Sequence, residues 1–285
     1  MGVTIETPQL KMEITLVSID TLFIHEETIP TALEQLKQEL IEETILHHPM
    51  IVDSSTMVVL DGMHRVAALQ NLGYKLAPVC LVDYQNSAIE LSAWYREFNG
   101  ALAFVDFANI ISTQLSVMKL ETTTETAIGQ VDSRKAIAAL AFGDQAFLFI
   151  TPKQLTIKEI YDEIAKTESL AQHSKYQILY STENDAIKSI QNRIRPVLIV
   201  PSLSKNEVIE GALKRELFTQ KTTRHVVPAR PLFVNVPLSW LEDTNLDNAN
   251  KRFAKYLKSK QIIEQKSGIV INGRRYEERA YIFTD

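Results

Sequence analysis

Between Ile14 and Asp83 the spacing of apolar residues switches between two periods, and this restricts the first third of the chain to an α/β unit. Ile14 to Ile19 alternates apolar and polar residues, as a half-buried strand does. From Pro30 to Glu43, Leu33, Leu36, Leu40 and Ile41 fall at helical spacing. Pro30 suits a first turn, where its missing N–H costs nothing. Pro49 to Asp53 and Met57 to Asp61 are short apolar runs flanking Ser54-Ser55-Thr56, which predicts a hairpin. Met63 to Leu72 is helical and stops at Gly73, a natural C′ residue. Ala77 to Asp83 is a further strand, so the predicted order is β, α, ββ, α, β.

After Trp94 the pattern changes. Val105 to Leu115 is helical, and the threonine-rich run Thr122 to Thr126 is the best candidate for a loop or linker. Ile137 to Phe142 and Ala146 to Ile150 flank Gly143-Asp144 as a hairpin would. Leu155 to Leu170 is an amphipathic helix, while Tyr176 to Tyr180 and Val197 to Val200 are strands. A helix near Asn248 to Lys260 precedes a hairpin from Gly268 to Phe283, with Asn272-Gly273 as its type I′ turn.

The chain of 285 residues carries a net charge of −5. A protein gripping duplex DNA through phosphate contacts would usually show a basic face. Lys214-Arg215 and the stretch Lys221 to Arg230 are too short and too mixed with apolar residues for that. No apolar run approaches the roughly 18 to 20 residues of a membrane span, and Met1 to Met12 lacks the apolar block of a signal peptide. Cys80 is the sole cysteine and sits in an apolar run, so a buried strand thiol in a reducing cytoplasm is expected.

Leu60-Asp61-Gly62-Met63-His64-Arg65 is the most informative hexapeptide. A strand ends at Asp61, Gly62 turns the chain, and a helix opens with a histidine and an arginine. Unpaired N–H groups and the positive dipole end at a helix start attract anions such as phosphate. Arg65 can fork onto phosphate oxygens, with His64 as a further donor. Equally, Asp61 can simply cap the helix, with Arg65 a surface charge. His25-Glu26-Glu27, at a strand–helix junction, offers either a base for a hydroxyl proton or acids favoured by the helix dipole. His47 and His48 point to opposite faces if they lie on a strand and share no metal. Lys221-Thr222-Thr223-Arg224-His225 is either an anion or carboxylate site or a solvated loop. A complete P-loop and the protein-kinase motif set are absent.

Taken in order, these segments resemble the free serine kinases of the ParB/sulfiredoxin-like superfamily. The resemblance rests on His25-Glu26, Pro49-Met50, Leu60 to Arg65, Leu72-Gly73, Ala77-Pro78 and Asp83-Tyr84. It continues through Trp94-Tyr95, Phe98-Asn99-Gly100 and Lys221 to Pro228, covering residues 12 to 240. It implies an α/β (α+β) fold, with a ParB/sulfiredoxin-like nucleotide-binding domain over residues 1–105. A second α/β domain over 106–285 would contribute serine-binding residues, with the active site in the cleft between the two. The implied reaction moves a phosphoryl group from ADP or ATP to the hydroxyl of L-serine, giving O-phospho-L-serine. By motif position Glu26 resembles the catalytic base, and Asp61 a second essential acid close to the phosphate and an expected Mg²⁺. Gly62, Met63, His64 and Arg65 resemble the phosphate-binding turn; Trp94, Thr222, Thr223, Arg224 and His225 resemble the wall that holds serine.

The sequence also departs from the family. Met63 stands where relatives commonly have the first histidine of Asp-Gly-His-His-Arg, and Glu43-Thr44-Ile45 lacks the expected glycines. Residues 241–285 read as a C-terminal helix-hairpin extension without an assigned role. The resemblance implies a cytoplasmic enzyme of amino-acid biosynthesis, cysteine biosynthesis included, with neither nucleic acid nor membrane as partner. The competing readings are a ParB-like nucleotide-dependent DNA-binding protein and a nucleotide- or serine-binding regulator without turnover.

Overall fold

In the computed structural model, which describes residues 2–100, 103–174, 176–271 and 274–285, the elements expected of the first third are present. Together with two strands that the pattern did not predict, β1 (Val3–Glu6) and β3 (Ile45–Leu46), they are β2 (Lys11–Ser18), α1 (Pro30–Glu43), β4 (Met50–Asp53), β5 (Val59–Asp61), α2 (Met63–Asn71) and β6 (Leu76–Val82). The middle holds β7 (Glu90–Ala93), β8 (Tyr95–Asn99), α3 (Phe104–Leu115), β9 (Met118–Thr123), α4 (Thr124–Asp132), β10 (Ala138–Phe142) and β11 (Gln145–Ile150). Next come α5 (Ile157–His173), β12 (Gln177–Ser181), α6 (Glu183–Gln191), β13 (Val197–Ile199), α7 (Lys205–Lys214) and β14 (Thr223–Val226). The last part contains β15 (Ala229–Leu232), β16 (Val236–Pro237), α8 (Leu246–Ser259), β17 (Gln261–Gln265), β18 (Val270–Ile271), β19 (Arg274–Arg275) and β20 (Arg279–Thr284). Among the described residues no helix is long and apolar enough to cross a membrane.

Contacts gather the chain into two units, Met1–Glu90 with Val208–Gln220 and His225–Asp285, and Leu91–Glu207 with Lys221–Arg224. The expected boundary near residue 105 assumed continuous domains, whereas the first unit takes up the chain again after residue 207.

A five-stranded sheet of order β1-β2-β6-β4-β5 forms the frame of the first unit. Only β4 and β6 run parallel, with Ile51 opposite Cys80. Met12, Ile14, Leu16, Met50, Val52, Val59 and Val79 are buried in it, which explains the strong apolar signal of these strands. The stretch 241–285, read from the sequence as a C-terminal helix-hairpin extension, groups with this unit. The Asn250 side-chain oxygen on α8 accepts from the Leu16 N–H and the Thr15 hydroxyl of β2, each at 2.9 Å. Its amide donates to the Leu16 carbonyl at 2.9 Å. β15 pairs in parallel with β20, which pairs antiparallel with β17. The expected Asn272-Gly273 turn lies outside the described residues, while β18 and β19 flanking it pair antiparallel.

In the second unit a six-stranded sheet runs β12-β8-β13-β10-β11-β9. Thr122 to Thr126, expected as a loop or linker, instead ends β9 and starts α4. β-Branched threonines suit the edge strand, where Thr122 pairs with Ala146 of β11. The Thr123 hydroxyl then caps α4 by accepting from the Thr126 N–H. Strand β8 escaped the sequence pattern because Arg96 and Glu97, both buried, interrupt its apolar run. Arg96 donates to Glu168 at 2.6 Å, and Arg195 to Glu97 at 3.1 Å, so these buried charges are paired.

Candidate active site

At the end of β5 the chain turns through Gly62, at φ 103°, into α2. Glycine adopts this conformation without penalty. No side chain caps α2, so Asp61 is not the helix cap. Its Oδ2 accepts from Arg65 Nη2 at 2.8 Å and from Nη1 of Arg230 on β15. Arg65 Nη1 also donates to the carbonyls of His48 and Pro49, at 2.7 and 2.8 Å. This one guanidinium therefore ties the entry of β4 to the end of β5. A Cβ at position 62 would meet Arg65 Nη2 and Met50 Cγ, each at 2.8 Å.

Arg230 is nearly buried, and its Nε donates to Glu278 Oε1 at 2.6 Å. Burial disfavours its charge, but the carboxylates of Asp61 and Glu278 outweigh that and hold its pKa above the ordinary arginine value. His64, expected as an anion donor, accepts at Nε2 from the Ile29 N–H at 2.9 Å. Its ring proton therefore resides on Nδ1.

The Ile29 contact brings the segment of Glu26 to the same place. The Phe23 N–H donates to the Met57 carbonyl and the Val59 N–H to the Phe23 carbonyl, at 3.1 and 2.9 Å. On the other side Phe218 N–H donates to His25 O and Glu27 N–H to Phe218 O, at 2.8 and 2.9 Å. Glu26 lies three residues from each of the anchors Phe23 and Ile29. Three residues span at most about 10 Å, so Glu26 is confined beside β5 and the start of α2. Its side chain is buried, with 8% exposed.

His25 is fully buried, and burial lowers its pKa to about 4, opposed only in part by a hydrogen bond to the Val59 backbone. It is neutral near pH 7, so its Nε2, 3.9 Å from Glu26 Oε1, is a polar neighbour rather than an ion-pair partner. The His225 ring meets His25 edge to face, with centroids 5.4 Å apart. The Tyr84 hydroxyl bonds His225 Nε2 at 2.7 Å. Burial raises the Tyr84 pKa, which keeps the phenol protonated. The Tyr84 N–H donates in turn to Asp53 at 3.1 Å.

The second unit holds Trp94 and the segment Lys221 to Arg224. The Trp94 ring lies 5.3 Å from the Lys221 ammonium and 5.7 Å from the Arg224 guanidinium, both at cation–π distance. The Ser92 hydroxyl reaches the Arg224 carbonyl at 3.4 Å. Thr222 and Thr223 are buried, and Tyr161 donates to the Thr222 carbonyl at 3.4 Å. This segment is thus a held strand start rather than a solvated loop.

Sequence reasoning missed Arg230, Glu278 and the Tyr84–His225 contact. The sequence hint for Arg230 was its position between Ala229 and Pro231 in an apolar run, where an arginine needs a partner. Glu278, in the charged run Glu277-Glu278-Arg279, gave none. Among the described residues no three His, Cys, Asp or Glu side chains cluster as a metal cage. A cavity of about 400 Å³ in the second unit, lined by Arg134, Lys135, Lys153 and Ile160, contains none of the motif residues.

No protein-family model matches the sequence. The chain is 29% identical over 249 residues to an ATP-dependent L-serine kinase of Staphylothermus marinus, covering 82% of this chain and 94% of that protein. It is 26% identical over 243 residues to the ADP-dependent L-serine kinase SerK of Thermococcus kodakarensis, covering 83% and 96%. A solved free serine kinase in complex with AMP superposes with a TM-score of 0.65 at 26% identity, covering 80% of this chain and 93% of that one. Serine kinases named for different phosphoryl donors are thus similar to this chain over most of its length, and the solved one shares its fold.

Proposed function

We propose that the protein transfers the terminal phosphoryl group of ATP or ADP to the hydroxyl of free L-serine. The observation that carries this reading is the confinement of buried Glu26 beside the Asp61-Gly62 turn. The similarity to named serine kinases over more than four-fifths of the chain supports it.

In this reading the uncapped start of α2 receives the phosphates. Gly62 permits their close approach, and the first N–H groups of the helix supply donors. Met63 contributes there only through its backbone. Arg65 holds the turn in shape through Asp61 and the two carbonyls. Glu26 accepts the serine hydroxyl proton as the serine oxygen bonds to phosphorus and the bond from phosphorus to the nucleotide oxygen breaks. The products are O-phospho-L-serine and the nucleotide shortened by one phosphate.

Trp94, Thr222, Thr223, Arg224 and His225 bind the amino-acid portion of serine, with Arg224 suited to its carboxylate. Mg²⁺ commonly takes one or two carboxylates and fills its shell with water and phosphate oxygens. Asp61 fits that mode as the single protein ligand, and the ion supplies charge neutralisation when bound. A cytoplasmic site of action suits a reaction between free serine and nucleotides.

The test is incubation with L-serine, MgCl₂ and either ATP or ADP, with phosphoserine followed by mass spectrometry. Glu26→Gln and Asp61→Asn are each expected to lower kcat by about 100-fold or more, the range of a lost general base or charge stabiliser. Absence of product with both donors sinks the proposal. Wild-type rates in both variants would move the site elsewhere.

A further inference from the structure

The partly buried cluster behind the turn carries two charges of each sign: Asp61, Arg65, Arg230 and Glu278. Arg230 uses Nη1 on Asp61 and Nε on Glu278. Its side chain is 8% exposed and that of Glu278 12%, whereas Asp61, at 29%, is the more open carboxylate. Glu278 thus stands behind Arg230, which stands behind Asp61. A guanidinium presents its donors in a rigid plane, so fixing two of its nitrogens fixes the direction of the third.

We infer that Arg230, seated on Glu278, is a positioning residue that orients the Asp61 carboxylate and balances the charge of the phosphate-binding turn. The inference rests on the proposed placement of phosphates at Gly62–Arg65. It gives the segment 241–285 a role, because Glu278 immediately precedes β20, and β20 is the strand that pairs with β15 beneath Arg230.

The charge balance makes an asymmetric prediction. Removing Arg230 leaves the cluster one unit more negative and repels a nucleotide phosphate. Neutralising Glu278 leaves it one unit more positive and attracts one. At the effective dielectric of a partly solvated site, a unit charge a few ångströms from the phosphate changes binding roughly tenfold. Both changes loosen the hold on Asp61, leaving it on Arg65 alone or on an Arg230 without its anchor, so both lower turnover. A merely structural pair would weaken nucleotide binding in both variants.

The experiment compares full-length wild type with Arg230→Met, Arg230→Lys and Glu278→Gln, by ADP titration with MgCl₂, phosphoserine formation and thermal melting. Expected is roughly tenfold weaker ADP binding in Arg230→Met and unchanged or tighter binding in Glu278→Gln, with kcat lowered at least about fivefold in both. Arg230→Lys should restore ADP affinity to within about threefold but not kcat, since an ammonium cannot reproduce the two-sided fork. Should Arg230→Met fail to fold, Arg230→Lys and Glu278→Gln decide the matter alone.

ADP affinities that shift together, or wild-type kcat in folded variants, overturn the inference while leaving the serine kinase reading intact. Opposed ADP shifts in a protein that makes no phosphoserine support the inference and reject the serine reading. Failure of the wild type to bind either ADP or ATP rejects both.

Discussion

His25 shows how a single buried side chain links the candidate site to the pH range in which the fold survives. The folded protein keeps this imidazole neutral down to about pH 4, whereas the unfolded chain protonates it near the ordinary histidine value of 6.5. As pH falls below 6.5 the unfolded state takes up the proton first, so stability declines through the window from 6.5 to about 4. The full effect is about 3 kcal/mol, and about 2 kcal/mol of it is gone by pH 5. Urea denaturation at pH 7 and pH 5 should show that loss, and His25→Gln should flatten it. An equal pH dependence in the variant would assign the effect to other groups. Cys80 matches its sequence expectation, being fully buried on β6 with its thiol pushed up to about 12, chiefly by burial.

At the scale of elements, the turn between β5 and α2 separates two glycines that sequence alone treats alike. Gly62 and Gly73 both have positive φ, at 103° and 83°. A Cβ at 73 meets nothing within 4 Å, whereas at 62 it strikes Arg65 and Met50. Gly73→Ala should cost about 1 kcal/mol of backbone strain and leave ADP binding unchanged. Gly62→Ala should cost about 1–3 kcal/mol and impair ADP binding by displacing the arginine that holds Asp61. Equal effects of the two substitutions, measured by denaturation and ADP titration, would show that the close approach at 62 is unimportant. The sequence made α1, α2 and the β4–β5 hairpin legible because apolar residues recur there at helical spacing or in short runs, and their ends carry proline, glycine and serine signals. It hid β8, whose inward Arg96 and Glu97 look like surface residues until Glu168 and Arg195 are known to be opposite them. The local parts of the site, from Asp61 to Arg65, were legible for the same reason. The Arg230–Glu278 support was not, since pairs separated by 169 and 48 positions leave no periodic trace.

For the whole molecule, the consequence of the interrupted first unit is that its C-terminal part is structural core. Phe253 and Leu257 of α8 are buried, Asn250 is bonded to β2, and the Leu241 carbonyl accepts from the N–H groups of Lys75 and Leu76. Deletion of residues 241–285 should therefore abolish cooperative unfolding of the first unit instead of yielding a shorter enzyme. Phe253→Ala, the milder version, should destabilise by about 3–5 kcal/mol. Circular dichroism melts check both, and a truncated chain with the wild-type transition would make this segment a dispensable appendage after all.

Synthesis encounters the same interruption as a delay. Arg230 is added 169 residues after Asp61, which at ordinary elongation rates is on the order of ten to thirty seconds. Throughout that interval the nascent amino-terminal sheet has neither α8 to cover β2 nor β20 to line up with β15. The ribosome thus holds an incomplete half with its apolar flank bare, a state in which chaperones or premature pairing with a neighbouring chain would have their best opportunity.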